Sequence, residues 1–165
     1  MRKQFIAIMC LVFLCMLTAC SGTDQAKLDI YQYLNEDVRQ IVATQNKAVS
    51  KYNAFMEMEE ADPEQLISAL EQEILPAMQE AQTALSALHY ESDEVNDFVE
   101  QYGQVLAAEE NAMEEVRKAV NEKSETGLTQ ANAQIQEAMT AMDEYQAAVR
   151  SFAAGHGISI VVEEE

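Results

Sequence analysis

From Leu28 onward, apolar side chains recur every three or four residues, which is the spacing of one face of an α-helix. Segments rich in turn-forming residues interrupt this pattern at residues 57–62, 89–91 and 121–127. The pattern therefore predicts four amphipathic helices. The inward stripe predicted for the first helix consists of Tyr31, Leu34, Val38, Ile41, Gln45, Ala48, Tyr52 and Phe55.

The later helices carry clearer boundary signals. Asp62 can cap the second helix and Pro63 suits its first turn, while Pro76 within it predicts a kink rather than a break. Ser92 or Asp93 is expected to cap the third helix. The inward positions predicted for these helices are Ile67, Leu70, Ile74, Met78, Ala81, Leu85 and Leu88; then Val95, Phe98, Tyr102, Val105, Glu109, Ala112, Val116 and Ala119; then Leu128, Ala131, Ile135, Ala138, Met142, Tyr145, Val149 and Phe152.

Helices of similar length joined by short turns favour one all-α architecture, an antiparallel up-down four-helix bundle over residues 28–154. A three-helix bundle with a loose first helix is the alternative. Gly155 is expected to end the fourth helix in a left-handed conformation. Beyond it, residues 155–165 are predicted to be a short extended C-terminal arm, an acidic tail that contains the β-branched run 158–162.

The amino terminus has a different pattern, in which Arg2 and Lys3 precede an apolar run over residues 5–17. That run is too short for a membrane-spanning helix, which needs ~20 apolar residues, and it suits the core of a signal peptide. The run ends in Leu-Thr-Ala-Cys, which resembles the lipobox of bacterial lipoproteins. The resemblance implies a signal peptide at residues 1–19 and lipidation of Cys20, and the polar residues 20–27 read as a lipidated tether. The alternative is an ordinary cleaved signal with a chance cysteine.

A second, looser resemblance covers residues 72–157. The segment Ile-Leu-Pro at 74–76, together with Tyr102, Tyr145 and Ala-Gly-His-Gly at 154–157, is similar to uncharacterised small helical-bundle lipoproteins of Gram-positive bacteria. The resemblance implies a bundle on the outer face of the cell membrane. It supplies no activity and no site residues.

Charge and cysteine content narrow the function. The chain has a net charge of −19, and loss of two of its ten basic residues with the signal would make this −21. Such a surface repels nucleic acid, which binds through clustered lysine and arginine. Cys10 and Cys15 lie in the predicted signal and Cys20 would carry lipid, so no disulfide is expected.

Catalytic and metal motifs are not recognisable in the sequence. A di-iron bundle needs Glu-x-x-His on two helices, whereas Ser86 and Ala153 precede His89 and His156 by three residues. The chain has only two histidines, which is too few to favour a zinc site or a catalytic Ser-His pair. We therefore expect no cofactor, no metal site and no catalytic residues.

One set of inward polar residues could form a ligand pocket in the middle of the bundle: Gln45, Tyr52, Tyr102, Glu109 and Tyr145. The alternative is a polar layer that fixes helix register, with Glu109 paired to Lys51 or to a tyrosine. A cavity of ~300 Å³ or more beside Glu109 would favour the pocket.

The function predicted is that of a lipid-anchored, extracytoplasmic binding or scaffolding module at the cell envelope. Its expected partners are the membrane, through the lipid, and an envelope protein, with no nucleic acid. The alternative is a small-ligand or cation carrier that uses the mid-bundle pocket. The predicted location is the extracytoplasmic face of the cell membrane, and no enzymatic activity is expected.

Overall fold

The computed structural model of the chain describes residues 21–58 and 62–158. Within these ranges the chain is all-helical, with no strand, as the hydrophobic pattern predicts. The helices are α1 over residues 21–56, α2 over residues 63–86, α3 (Asp93–Asn121) and α4 (Glu125–Gly155). Residues 1–20, with Cys20 and the predicted signal peptide, lie outside the described ranges.

The first helix starts earlier than the apolar pattern indicates. It consists of Ser21–Gln32, a π-helical turn at Tyr33–Asp37, and Val38–Met56. Residues 21–27, which belong to the tether predicted for residues 20–27, are therefore part of this helix. The physical reason is that Ala26 and Asp29 are buried, and Asp29 Oδ2 accepts a hydrogen bond of 2.8 Å from the backbone N–H of Ser92.

The second helix begins where the sequence predicts and continues through Pro76. The carboxylate of Asp62 accepts a bond of 3.0 Å from the backbone N–H of Glu64, with proline in the first turn. The helix runs through Pro76 without a break, because a π-helical turn at Leu70–Ile74 lies just before it. Proline has no N–H to offer the preceding turn, and a wider turn there accommodates that loss.

Serine residues cap the last two helices. Ser92 Oγ accepts a 3.4 Å bond from the N–H of Val95, and Ser124 Oγ accepts a 3.0 Å bond from the N–H of Gly127. Ser92 is thus the cap of α3, one of the two residues predicted. The short α3–α4 connection contains Lys123 at φ +53, a left-handed conformation.

The carboxyl end of α4 differs from the expectation. Gly155 is the last helical residue, and Gly157 takes the left-handed conformation at φ +71. Ile158 then donates its N–H to the carbonyl of Ala153 at 2.9 Å and packs on the core. The start of the arm is therefore a tight stop against the bundle, and residues 159–165 lie outside the described ranges.

The core runs through the four helices, but the helices do not enclose it evenly. α1 packs on α2, α2 on α3, and α3 on α4 along much of its length. The backbones of Val38–Met56 and α4 approach each other closely at few points, and a groove lies between them. The largest fully buried side chains described are Ile30, Tyr33, Leu70, Ile74, Met78, Leu85, Val95, Tyr102, Leu106 and Val116.

Candidate ligand-binding groove

A groove of about 480 Å³ lies between Leu34–Val49 of α1 and α4, with Tyr102 and Glu109 of α3 also in its lining. Most of its lining surface is apolar, although eight of its fifteen lining residues carry a polar group: Gln45, Asn46, Tyr102, Glu109, Asp143, Tyr145, Gln146 and Arg150. It is open to solvent along one side, so a molecule can enter without unfolding a helix. The apolar walls include Leu34, Val38, Val42, Val49, Met142 and Val149.

Glu109 of α3 lines this groove although it is only 8% exposed. Its Oε2 accepts a 2.6 Å hydrogen bond from Nε2 of Gln45, and Oε1 of Gln45 accepts a 2.6 Å bond from the hydroxyl of Tyr102. The Gln45 amide is thus held at both ends, and it orients the carboxylate. Three of the five pocket residues predicted from the sequence therefore form one hydrogen-bonded series, Glu109–Gln45–Tyr102.

Tyr145, the fourth predicted residue, contacts this hydrogen-bonded series through its ring. It stacks on Tyr102 with ring centroids 5.1 Å apart and planes within 9° of parallel. Its hydroxyl hydrogen-bonds the hydroxyl of Tyr33, which is fully buried. Tyr33 was not predicted, because the π-helical turn shifts the inward face by one residue and leaves Tyr31 54% exposed instead.

Tyr52, the fifth predicted residue, lies in an adjoining cavity. Its hydroxyl donates a 3.4 Å hydrogen bond to Oδ1 of Asn132. This second cavity has a volume of about 410 Å³ and shares Val49, Glu109 and Met139 with the groove. Glu109 therefore lies where two apolar spaces meet, and Tyr52 belongs to the far one.

Burial is the main cause of the shifted pKa values in the site. It raises the pKa of the Glu109 carboxyl, and the hydrogen bond from Gln45 partly opposes that rise. Burial likewise raises the pKa values of Tyr33, Tyr102 and Tyr145. The proposed partner Lys51 is engaged elsewhere, in an ion pair with Glu73 of α2, so the Glu109–Lys51 alternative is wrong. Lys51 faces α2, whereas Glu109 of α3 contacts Gln45 of α1.

Charged side chains also stand at one rim of the groove. Arg150 and Asp143 of α4 both line it and are both exposed. Arg150 donates to Oε1 of Gln146 at 3.4 Å, a long bond on the surface. Charges of both signs at an exposed rim contribute little to affinity by themselves.

Other polar contacts of buried side chains lie outside the groove: Asp29 accepts from the N–H of Ser92, and Tyr90 donates to Asp37. Within residues 21–58 and 62–158, no three histidine, cysteine or acidic side chains come together as a metal site would require. His156 lies against Phe152, with its Nδ1 3.0 Å from that residue's carbonyl oxygen. That position is structural, at the end of α4.

No helix in the described ranges combines the length and apolar character needed to cross a membrane. Comparison with protein-family models, curated proteins and solved structures finds no match to this chain. The two lipoprotein resemblances therefore stay predictions from the residues that carry them.

Proposed function

We propose that this chain is a binding protein of the cell envelope and that the groove between Val38–Met56 and α4 is its binding site. The observation that carries the proposal is an open apolar groove of about 480 Å³ with the buried carboxylate of Glu109 at its base. Ligand sites commonly measure ~300–1,000 Å³ and pair apolar walls with a few fixed polar groups. The groove fits that description.

The groove supports the carrier over the scaffold. A purely structural polar layer would be closed by helix packing, because leaving apolar walls in water forgoes their burial energy. Here α1 and α4 meet at Tyr33–Tyr145 and at Tyr52–Asn132. Between these contacts Val42 and Val49 line an open groove. Met139 and Met142 add flexible, polarizable walls, which adapt to ligands of varied shape.

The proposed location rests on the amino-terminal sequence. Lipidation of Cys20 after removal of residues 1–19 would hold the domain at the extracytoplasmic face of the membrane. The acidic domain would then stand off anionic lipid and bind no nucleic acid. Because α1 is already helical at Ser21, the connection from lipid to bundle would be short.

We also propose the antiparallel up-down topology for the four helices. Two pairs support opposite directions for α1 and α4: Tyr33 meets Tyr145, and Tyr52 meets Asn132. Between α2 and α3, Arg117 bonds Glu71 and Gln82 bonds Glu110, which is again the reversed order. Short connections favour the same topology.

A protein-docking scaffold is the second candidate. Leu28 and Tyr31, three residues apart on α1, are 64% and 54% exposed. Side chains at this spacing share a helix face, and exposed apolar patches often mark partner surfaces. An envelope protein could dock there independently of the groove.

Groove occupancy can be tested with the full chain and Nile red, a neutral apolar dye. Val42→Trp places a large ring in the groove, whereas Ser50→Trp places the same ring on the exposed side of α1. We expect wild type and Ser50→Trp to enhance the dye fluorescence equally. Val42→Trp should lose most of that enhancement.

Residues 1–20 are the same in all three proteins, so dye bound to their apolar run cancels in the comparison. Circular dichroism checks that each variant is folded. Equal dye binding by folded Val42→Trp and Ser50→Trp would contradict the groove as the site.

A further inference from the structure

We propose that the groove binds an elongated apolar molecule that ends in a protonated amine, with the ammonium group placed against Glu109. This inference rests on the proposed function and specifies the ligand class of that same site. Its basis is the meeting of three features: an apolar groove, a buried carboxylate at its base, and no basic side chain paired with that carboxylate among the described residues.

The carboxylate has one oxygen left for a ligand. Oε2 of Glu109 accepts from Gln45, and Oε1 forms no hydrogen bond within the described residues. No fully buried side-chain oxygen or nitrogen there lacks a partner, so Oε1 must be accessible at the cavity surface. A ligand N–H donor is what this oxygen lacks.

Charge favours a cationic donor over a neutral one. Partial burial of a carboxylate costs free energy unless a cation or strong donor compensates it. The four described ion pairs all involve other acidic residues, namely Glu71, Glu73, Glu114 and Glu115. A bound ammonium group would supply the missing compensation, and a net charge of −19 raises the concentration of cations near the surface.

The shape of the groove favours a long apolar body. Its lining residues on α1 extend from Leu34 to Val49, about 22 Å along a helix at 1.5 Å per residue. The rim carries both Asp143 and Arg150, whose exposed and opposite charges favour neither end of a ligand, so the buried carboxylate of Glu109 is the charge that orients an ammonium group. An anionic amphiphile would have to use Arg150, whose exposure weakens any ion pair.

Three probes share one alkyl chain and differ in the charge of the head group: dodecylamine, dodecanol and dodecanoate. Comparing them separates the effect of charge from that of the apolar body. Each is titrated into the full chain by calorimetry below its aggregation concentration. We expect dodecylamine to bind wild type about tenfold more tightly than dodecanol, as for a charge-assisted hydrogen bond, and dodecanoate to bind most weakly.

Glu109→Gln tests the residue directly, since the amide keeps the shape and can still accept from Gln45. Glu144→Gln is the matched control, because it removes one negative charge from an exposed position of α4 that does not line the groove. Glu109→Gln should reduce the amine-to-alcohol affinity ratio close to one, mainly by weakening the binding of dodecylamine. Glu144→Gln should keep the wild-type ratio.

The outcomes separate this inference from the proposed function. Equal binding of amine and alcohol to wild type would overturn the inference even if Glu109→Gln failed to fold. Tightest binding of dodecanoate, or an unchanged ratio in folded Glu109→Gln, would also overturn it while the groove remained a binding site. If none of the probes bound while Val42→Trp still lost the Nile red enhancement, this inference alone would fail. If Val42→Trp also kept that enhancement, the proposed function itself would fail.

Discussion

The carboxylate of Glu109 is largely shielded from solvent. The residue is 8% exposed, and its charge is compensated among the described residues by one amide, from Gln45. A buried ion held by a single neutral donor destabilises the fold relative to an apolar side chain of similar size. A local cost of this kind is typical of a functional site.

Glu109→Leu should therefore be at least as stable as wild type at pH 7. Burial raises the native pKa of this carboxyl, so the native state retains its proton at pH values where the unfolded chain has lost it. The destabilisation caused by the ionised Glu109 is present in full above the raised pKa of the native state. It disappears as the pH falls below the pKa of this carboxyl in the unfolded chain. The stability advantage of the mutant should then shrink as pH is lowered from 7 toward ~4, near the ordinary glutamate pKa.

Thermal unfolding at several pH values measures this advantage, with Glu144→Leu as the exposed control. A loss of ~2 kcal/mol or more in Glu109→Leu at pH 7, with helicity intact, would contradict the account. Such a loss would mean that the hydrogen-bonded side chains of Tyr102, Gln45 and Glu109 stabilise the fold as a network.

At the scale of the elements, a set of buried tyrosines joins three helices. Tyr33 of α1, Tyr102 of α3 and Tyr145 of α4 are linked by a hydrogen bond and a stacked ring pair. Tyr90, before α3, packs edge-on against Tyr33 and donates a 2.6 Å hydrogen bond to Asp37. Burial raises the pKa of all four phenols.

These tyrosines predict cooperative unfolding in alkali. The unfolded chain releases their protons near pH ~10, whereas the native fold retains them, so native stability falls as pH rises above that value. Absorbance at 295 nm and circular dichroism should then change together in one steep transition. Phenol ionisation of most of the six tyrosines near pH 10 with helicity intact would show that they are not buried as described.

Two glycines provide a paired test of helix packing. At Gly103 in α3 an added Cβ would stand 3.8 Å from Leu85 Cδ2, an ordinary contact, whereas at Gly127 in α4 it would stand 2.9 Å from Ala119 Cβ. Gly103→Ala should stabilise the protein by ~0.5–1 kcal/mol, because alanine loses less backbone entropy in a helix. Gly127→Ala should destabilise it by ~1–3 kcal/mol through overpacking.

Chemical denaturation of both variants checks this prediction, each against wild type. Stabilisation by Gly127→Ala would show that α3 and α4 are farther apart at that end than described.

The elements also show which local signals carry structural information. Asp62, Pro63 and Ser92 mark helix starts by satisfying or sparing free N–H groups, a chemistry legible in the residues themselves. The π-helical turn at Tyr33–Asp37 has no such signal, and it moved Tyr33 inward and Tyr31 outward. Periodicity also predicts that Gln45, Tyr102 and Glu109 face inward. The groove between α1 and α4 could not be predicted in this way, because it depends on packing between helices far apart in sequence.

At the scale of the whole molecule, the proposal joins a lipid anchor to an acidic domain. Cys20→Ala should abolish incorporation of a fatty-acid label, and Cys15→Ala, five residues earlier in the predicted signal, should leave it intact. Metabolic labelling followed by gel fluorescence makes the comparison. Equal labelling of the wild type and Cys20→Ala would refute lipidation at this residue.

The central claim is that the groove between α1 and α4 receives an apolar ligand, and methyl NMR of methionine tests it most directly. Met139 and Met142 line the groove, while Met78 is fully buried in the core and lines none of the described cavities. With methyl-labelled methionine in the full chain, dodecylamine should shift the Met139 and Met142 signals and leave that of Met78 in place. Binding of the amine with both groove methionines unshifted would contradict the account.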